Sequence, residues 1–407
     1  QITVSSTDPW HRQSDRDVNA EQPGFDRIFK SGLAGGRSLI VPVGVLYDTP
    51  ENAAAELSFL RRRGYPVHQV DIGEEPDGQN ISPDDFAVLY RRFGAALRTI
   101  DPSIELGGPN LQDAVSDTWL DDTPEKSWTS RFLADITPPG GRPDLAFFSF
   151  EHYPYDTPCG AIDRKLVAAG NILSDDLARL QDDGVPRDIP WVITEYGFSA
   201  FSGEAEVEMP GALFDADMLA RFFAAGGSGA YLLGYGPDKL YPPENNCAGY
   251  GELMLFGENE HGQATWPTPA YWAIRLLSRE WLEPGNRANR LYPASLGALS
   301  AEARKYVTAW PVLRPDHRWS VMLINRSPSE RFPVALAFAG PRPGVTTAFA
   351  KMWQGVQYDA SEYRWQAAGS RGHPVLDEPP HPVSGQGGEL VLPPYSITIV
   401  STLRAAS

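Results

Sequence analysis

The first two-thirds of this 407-residue chain alternates short apolar runs with amphipathic stretches, and that alternation constrains its fold more than any other feature. Residues 38–46 (SLIVPVGVL) are β-branched and nearly continuous, as expected of a strand buried on both faces. Thr49 then opens a helix as its N-cap, with Pro50 in the first helical position. Gly64 and Pro66 stop that helix, and residues 67–72 read as the next strand. Ser82-Pro83 opens a second helix, with Asp84 and Asp85 where the helix dipole favours acids. Its Phe86, Leu89, Tyr90, Phe93 and Leu97 fall on one face. Strand candidates continue at 104–107, 145–150, 191–194 and 230–233, with helical stretches near 163–183 and 214–225. Such repetition predicts a parallel sheet, either open or closed into a barrel. The early strands are not followed by a glycine-rich phosphate turn, which favours the barrel.

The pattern changes near residue 285. After an apolar helix at 269–282 and Pro284-Gly285, the chain reads as short strands broken by Pro, Gly and Ser. Residues 321–325 and 390–400 lack helical periodicity, so an all-β sandwich is expected there. Residues 366–389 read as a mobile loop. The expected domains are a barrel over 1–285 and a sandwich over 286–407. Glycine (38) and proline (37) are frequent but follow no period, which excludes a collagen-like chain. A formal net charge of −17 argues against nucleic acid and anionic lipid as partners. No apolar run reaches the ~18 residues that span a bilayer. The 11 Trp and 16 Tyr suit carbohydrate stacking and core packing equally.

Two segments carry candidate chemistry. In Asp71-Ile72-Gly73-Glu74-Glu75-Pro76-Asp77, strand alternation puts Gln69, Asp71, Gly73 and Glu75 on the lumen face, with Val70 and Ile72 toward the helices. Glu75 then stands at the C-terminal mouth, where barrel enzymes keep their chemistry. Pro76 is expected to hold its predecessor extended and to end the strand. A charged strand-to-loop junction is the competing reading. The second segment, Trp191-Val192-Ile193-Thr194-Glu195-Tyr196-Gly197, also ends a strand in a glutamate. Two such carboxylates are what retaining glycoside hydrolysis requires, one to protonate the leaving oxygen and one to attack the sugar carbon.

These residues resemble clan A glycoside hydrolases, most closely family 39. The likeness rests on Gly73-Glu74-Glu75-Pro76-Asp77, on Ile193-Thr194-Glu195-Tyr196-Gly197 and on the barrel-plus-sandwich layout. It implies Glu75 as acid/base on the fourth barrel strand and Glu195 as nucleophile on the seventh. Glu151-His152-Tyr153-Pro154-Tyr155 resembles the sixth-strand end, whose His and Tyr positions contact the sugar or the nucleophile; aromatic loop packing is the alternative. The resemblance implies a carbohydrate partner, xyloside-like substrates first, and no cofactor.

The chain also departs from the family pattern. Glu74 stands where the clan carries an Asn that hydrogen-bonds the sugar 2-hydroxyl; a carboxylate accepts but does not donate, and its charge raises the pKa of a neighbouring acid. The eighth strand lacks its terminal Trp, leaving Tyr235 and then Trp266 as candidate platforms. If 67–72 is the fourth strand, 38–46 is the third and 2–6 the second, which makes seven strands of a (β/α)8 TIM barrel and leaves the first strand-helix unit missing. Either upstream sequence is absent, in a chain that begins with Gln1, or another segment or chain supplies the strand, because open edges are avoided. The oligomeric state stays open. Asp8-Pro9-Trp10-His11 then lies at the second strand's mouth, lining the site or capping a helix.

Cys159 and Cys247 fall in loops on the expected active-site face, either as a disulfide, which suggests a secreted or periplasmic protein, or as two free thiols. The seven histidines include no pair at metal-ligand spacing. Gly226-Gly227-Ser228-Gly229 precedes a strand, contrary to a nucleophile elbow. Asn80-Ile81-Ser82 and Asn325-Arg326-Ser327 are glycosylation sequons. The competing function is a non-catalytic glycan-binding protein on a degenerate barrel, which Glu74 and the missing strand favour.

Overall fold

The computed structural model describes residues 25–32, 39–112, 127–234, 236–244, 247–339 and 346–403. Among them, six strands form one sheet: β1 (Leu39–Val43), β2 (Val67–Ile72), β3 (Glu105–Leu111), β4 (Phe147–His152), β5 (Trp191–Tyr196) and β6 (Gly229–Leu232), in that order. Parallel pairing sets Val43 beside Ile72, Asp71 beside Gly107 and Gly107 beside Phe147. The sheet is curled, a partial TIM barrel, and antiparallel strands form a sandwich-like region toward the C-terminus. Seven strands were expected from the sequence; the candidate at 2–6 and the Asp8–His11 segment lie outside the described residues.

The chain forms two compact units, and β5 runs from one into the other. The first comprises the described residues through His152 with Asp175–Thr194; the second comprises Tyr153–Ser174 with those from Glu195 onward. In the first unit, helix α1 (Phe25–Ser31) precedes β1, and α2 (Pro50–Arg62) follows it. The Thr49 hydroxyl accepts from Asn52 N at 3.2 Å, satisfying a donor that the first turn leaves free. At its other end Gly64, at φ +73°, and Tyr65 donate to the carbonyls of Arg61 and Leu60, a Schellman closure that explains why a glycine stands there. Helix α3 (Pro83–Ile100) is capped by Ser82 and buries Phe86, Tyr90, Phe93 and Leu97. Helix α4 (Trp128–Asp135) packs Phe132 edge-on to Tyr90.

In the second unit, a six-stranded sheet orders Arg290–Leu291, Val307–Leu313, Trp319–Asn325, Ser396–Thr402, Ala350–Tyr358 and His381–Gly387. The antiparallel pair Phe332–Ala335 and Glu389–Leu392 contributes Phe332, Val334 and Leu392 to a core shared with Val321, Leu323, Trp353 and Val400. One sequence expectation is corrected here. Residues 366–389 are mostly strand: Tyr363–Gln366 pairs with His373–Asp377, and His381–Gly387 pairs with Ala350–Tyr358. Pro382 is tolerated in His381–Gly387 because that strand lies at the edge of its sheet. The run 390–400 is two strands, divided at Pro393-Pro394-Tyr395, with Tyr395 at φ +41°.

Arg326 anchors this unit from within. The side chain is 4% exposed and donates to the carbonyls of Leu166, Lys305 and Tyr306, with Asp217 Oδ2 3.6 Å away. Asp217 in turn accepts from Thr308, Trp310 and Arg221. Removing one member of such a buried network strands the rest. Arg326→Met is therefore expected to cost about 3 kcal/mol or more, read as a lowered urea midpoint at unchanged slope.

Candidate active site

In the first unit, strand β2 stops at Ile72, and a turn rather than strand alternation delivers Glu75. Gly73 sits at φ +148° against β3: a Cβ there would lie 1.9 Å from the Pro109 carbonyl oxygen. Glu75 itself adopts φ +47°, so Pro76 does not hold it extended, contrary to the sequence expectation. Tertiary contacts maintain this conformation. Glu75 N donates to the Asn110 carbonyl at 2.9 Å, and Gln112 Nε2 donates to Glu75 Oε1 at 3.0 Å. Glu75 is half-buried and Glu74 exposed. Partial desolvation, and then the charge of Glu75, raise the Glu74 carboxyl above the ordinary range.

Below this turn lies a polar network. Asp71 is 3% exposed and accepts from Ser149 Oγ at 2.8 Å; burial pushes its carboxyl up to about 7. The Ser149 hydroxyl also accepts from Asn110 N at 3.0 Å. Asn110 Nδ2 reaches Glu151 Oε1 at 3.4 Å, and Asn110 Oδ1 accepts from the Thr194 hydroxyl. His152, at the end of β4, is buried with Nδ1 3.0 Å from Asp176 Oδ2.

In the second unit, Glu195 is half-buried and accepts from the Tyr153 hydroxyl at 3.0 Å on Oε2. Gly197 gives the Tyr153 ring its room, since a Cβ there would stand 3.2 Å from Cε1. Trp266 lies in the strand Ala264–Pro267, tilted against Trp365 with centroids 5.3 Å apart. Tyr235 lies outside the described residues. Cys159 and Cys247 are joined by a disulfide across 88 residues of sequence. Closing a loop of that length removes unfolded-state entropy worth about 2–4 kcal/mol. Reduction, or replacement of both cysteines by alanine, should lower the unfolding free energy by that amount in a denaturant titration.

A group of buried acids gave no sequence signal, because none stands at a strand end or in a motif. Glu206, Asp215 and Glu252 line one small enclosed cavity with Tyr196 and Gly197, and no basic side chain lines it. Helix α5 (Ile162–Asp182) comes before these residues in the chain, and α6 (Met209–Ala224) carries Asp215. Glu206 accepts from Ser199 N at 2.9 Å. Glu252 is 1% exposed, and neither of its carboxyl oxygens has a hydrogen-bond partner. Burial, followed by the charges of Asp238 and Glu258, pushes its carboxyl up to about 9. Burial likewise holds Glu206 and Asp215 well above the ordinary range. Among the described residues no group of three His, Cys, Asp or Glu is arranged to hold a metal ion, and no helix is long and apolar enough to cross a membrane.

The sequence matches no protein-family model and no curated protein. Solved structures, however, resemble it over most of its length. The GH51 arabinofuranosidase from Xanthomonas axonopodis pv. citri superposes with a TM-score of 0.60 at 14% identity, covering 93% of this chain and 78% of that one. Cel44A, a GH family 44 endoglucanase from Clostridium thermocellum, gives 0.56 at 12% identity, covering 89% and 74%. CelM2, a bifunctional glucanase-xylanase from a metagenome library, gives 0.54 at 16% identity, covering 86% and 68%. At such identities the likeness is one of fold: this chain shares the architecture of glycoside hydrolases of families 44 and 51.

Proposed function

We propose that the protein is a retaining glycoside hydrolase acting on a polysaccharide, with Glu195 as nucleophile and Glu75 as acid/base. The observation that carries this reading is the Tyr153 hydroxyl on Oε2 of a glutamate at the end of a parallel strand. That bond holds the carboxylate in one orientation. In the first step a Glu195 carboxylate oxygen bonds to the anomeric carbon, the glycosidic C–O bond breaks, and the Glu75 proton goes to the departing oxygen. In the second, Glu75 takes a proton from water as the water oxygen displaces Glu195 from that carbon. Trp266, Tyr153 and Tyr235 are then the aromatic candidates for sugar contact, and Glu74 an acceptor for a hydroxyl.

The names of structurally similar proteins span arabinofuranosidase, endoglucanase and glucanase-xylanase activities. The family 39 resemblance adds β-xylosides, so xylan-type and β-glucan substrates stand first. The disulfide supports a secreted or periplasmic site of action. The test is a panel of chromogenic glycosides and polysaccharides, with the first-formed anomer followed by NMR. Release with retained configuration is expected. Inversion overturns the assigned roles, and oligosaccharide binding without any release points to a glycan-binding protein.

A further inference from the structure

Strand β3 ends as a two-part clamp on Glu75, and we propose that Asn110 and Gln112 are positioning residues that hold this glutamate for proton transfer. The inference rests on the glycosidase reading above and extends it to the residues that hold the acid/base in place. Asn110 holds the backbone and Gln112 the carboxyl group. The Asn110 carbonyl takes the Glu75 amide at 2.9 Å, and Gln112 Nε2 reaches Glu75 Oε1 at 3.0 Å.

Each half of the clamp is itself fixed. Asn110 sits at φ +58°, a left-handed conformation that asparagine tolerates better than most residues. The Ser149 hydroxyl holds its amide, and Thr194 and Glu151 engage its side chain. Gln112 N donates to Asp77 Oδ1 at 2.9 Å, which ties the strand end to the turn that carries Glu75. Gly78 leaves room for the Gln112 carboxamide: a Cβ on residue 78 would stand 2.1 Å from Gln112 Oε1 and 2.7 Å from Cδ. Thr194 immediately precedes Glu195, so one asparagine is bonded both to the acid/base and to the neighbour of the nucleophile.

A mobile Glu75 still lets Glu195 attack, but it protonates the leaving oxygen poorly. Loss of the clamp should therefore be felt where protonation matters and spared where it does not. Aryl and alkyl glycosides spanning leaving groups from dinitrophenol to a simple alkanol test this, together with a thermal melt of each protein. Gln112→Leu removes the donor at an exposed position. Gly78→Ala leaves Gln112 chemically intact but displaces its amide, at a residue without a left-handed φ.

Both variants are expected to lose roughly 10–100-fold in kcat/KM on poor leaving groups, a share of what general acid catalysis supplies. On dinitrophenyl substrates the loss should be less than about threefold, with the melt unchanged. A uniform loss across the series, or none, in variants of an active wild type overturns the clamp and leaves the glycosidase reading standing. A wild type inactive on every substrate, activated ones included, overturns that reading and the clamp with it.

Discussion

A Glu195→Gln protein should fold as the wild type does and lose turnover by roughly 10⁴-fold or more, the scale on which removal of a covalent nucleophile acts. The amide keeps the shape of the side chain and still accepts from the Tyr153 hydroxyl, so the strand end keeps its packing. It carries no anionic oxygen to bond to the anomeric carbon. The wild type should be inactivated stoichiometrically by a 2-fluoro glycoside and gain the mass of one sugar, while the variant gains none. Matching circular dichroism and melting curves separate lost chemistry from lost fold. Full activity in the variant removes Glu195 from its assigned role.

The second large effect is on stability as a function of pH. Glu252 has its carboxyl pushed up to about 9, and Asp71 and Glu208 theirs up to about 7. In each case burial is the first cause. An acid whose folded pKa lies above its unfolded one stabilises the fold fully below the unfolded value and loses that contribution as pH rises through the folded value. The protein should therefore be more stable near pH 5 than near pH 9, with Glu252 alone contributing on the order of 5 kcal/mol before relaxation, since each unit of displacement is worth about 1.4 kcal/mol. Glu252→Gln mimics the neutral acid in its unpartnered site. It should match the wild type in acid and flatten the decline between about pH 7 and 9, as read from urea midpoints across pH. A variant with the wild-type slope assigns the decline to other groups.

What the sequence disclosed follows from the range of the forces involved. Helix starts at Thr49-Pro50 and Ser82-Pro83 are local: the cap, the backbone amide that donates to it and the proline lie within four residues. The two glutamates were visible because apolar runs mark parallel strands and an acid at or just past their close breaks the pattern. The conformation of Glu75 was hidden, because contacts from Asn110 and Gln112, some 35 residues away in sequence, override the local preference set by Pro76. The same holds for 366–389, whose Gly and Pro content reads as loop while its pairing partners lie at 350–358 and 363–366. The buried acids were invisible because charge in a sequence signals solvent unless a cavity says otherwise.

The burial of Asn325 has a practical consequence. Its side chain is fully inaccessible, and Nδ2 donates to the carbonyls of Glu330, Leu392 and Pro393. A sugar attached there while the chain was still unfolded would consume that donor and leave the carbonyls bare inside the sandwich. Asn80, by contrast, is exposed in a turn at φ +60°. In a host that glycosylates secreted chains, a correctly folded molecule would thus carry a glycan at residue 80 alone of these two positions, and modification at 325 would mark the chains that failed to fold.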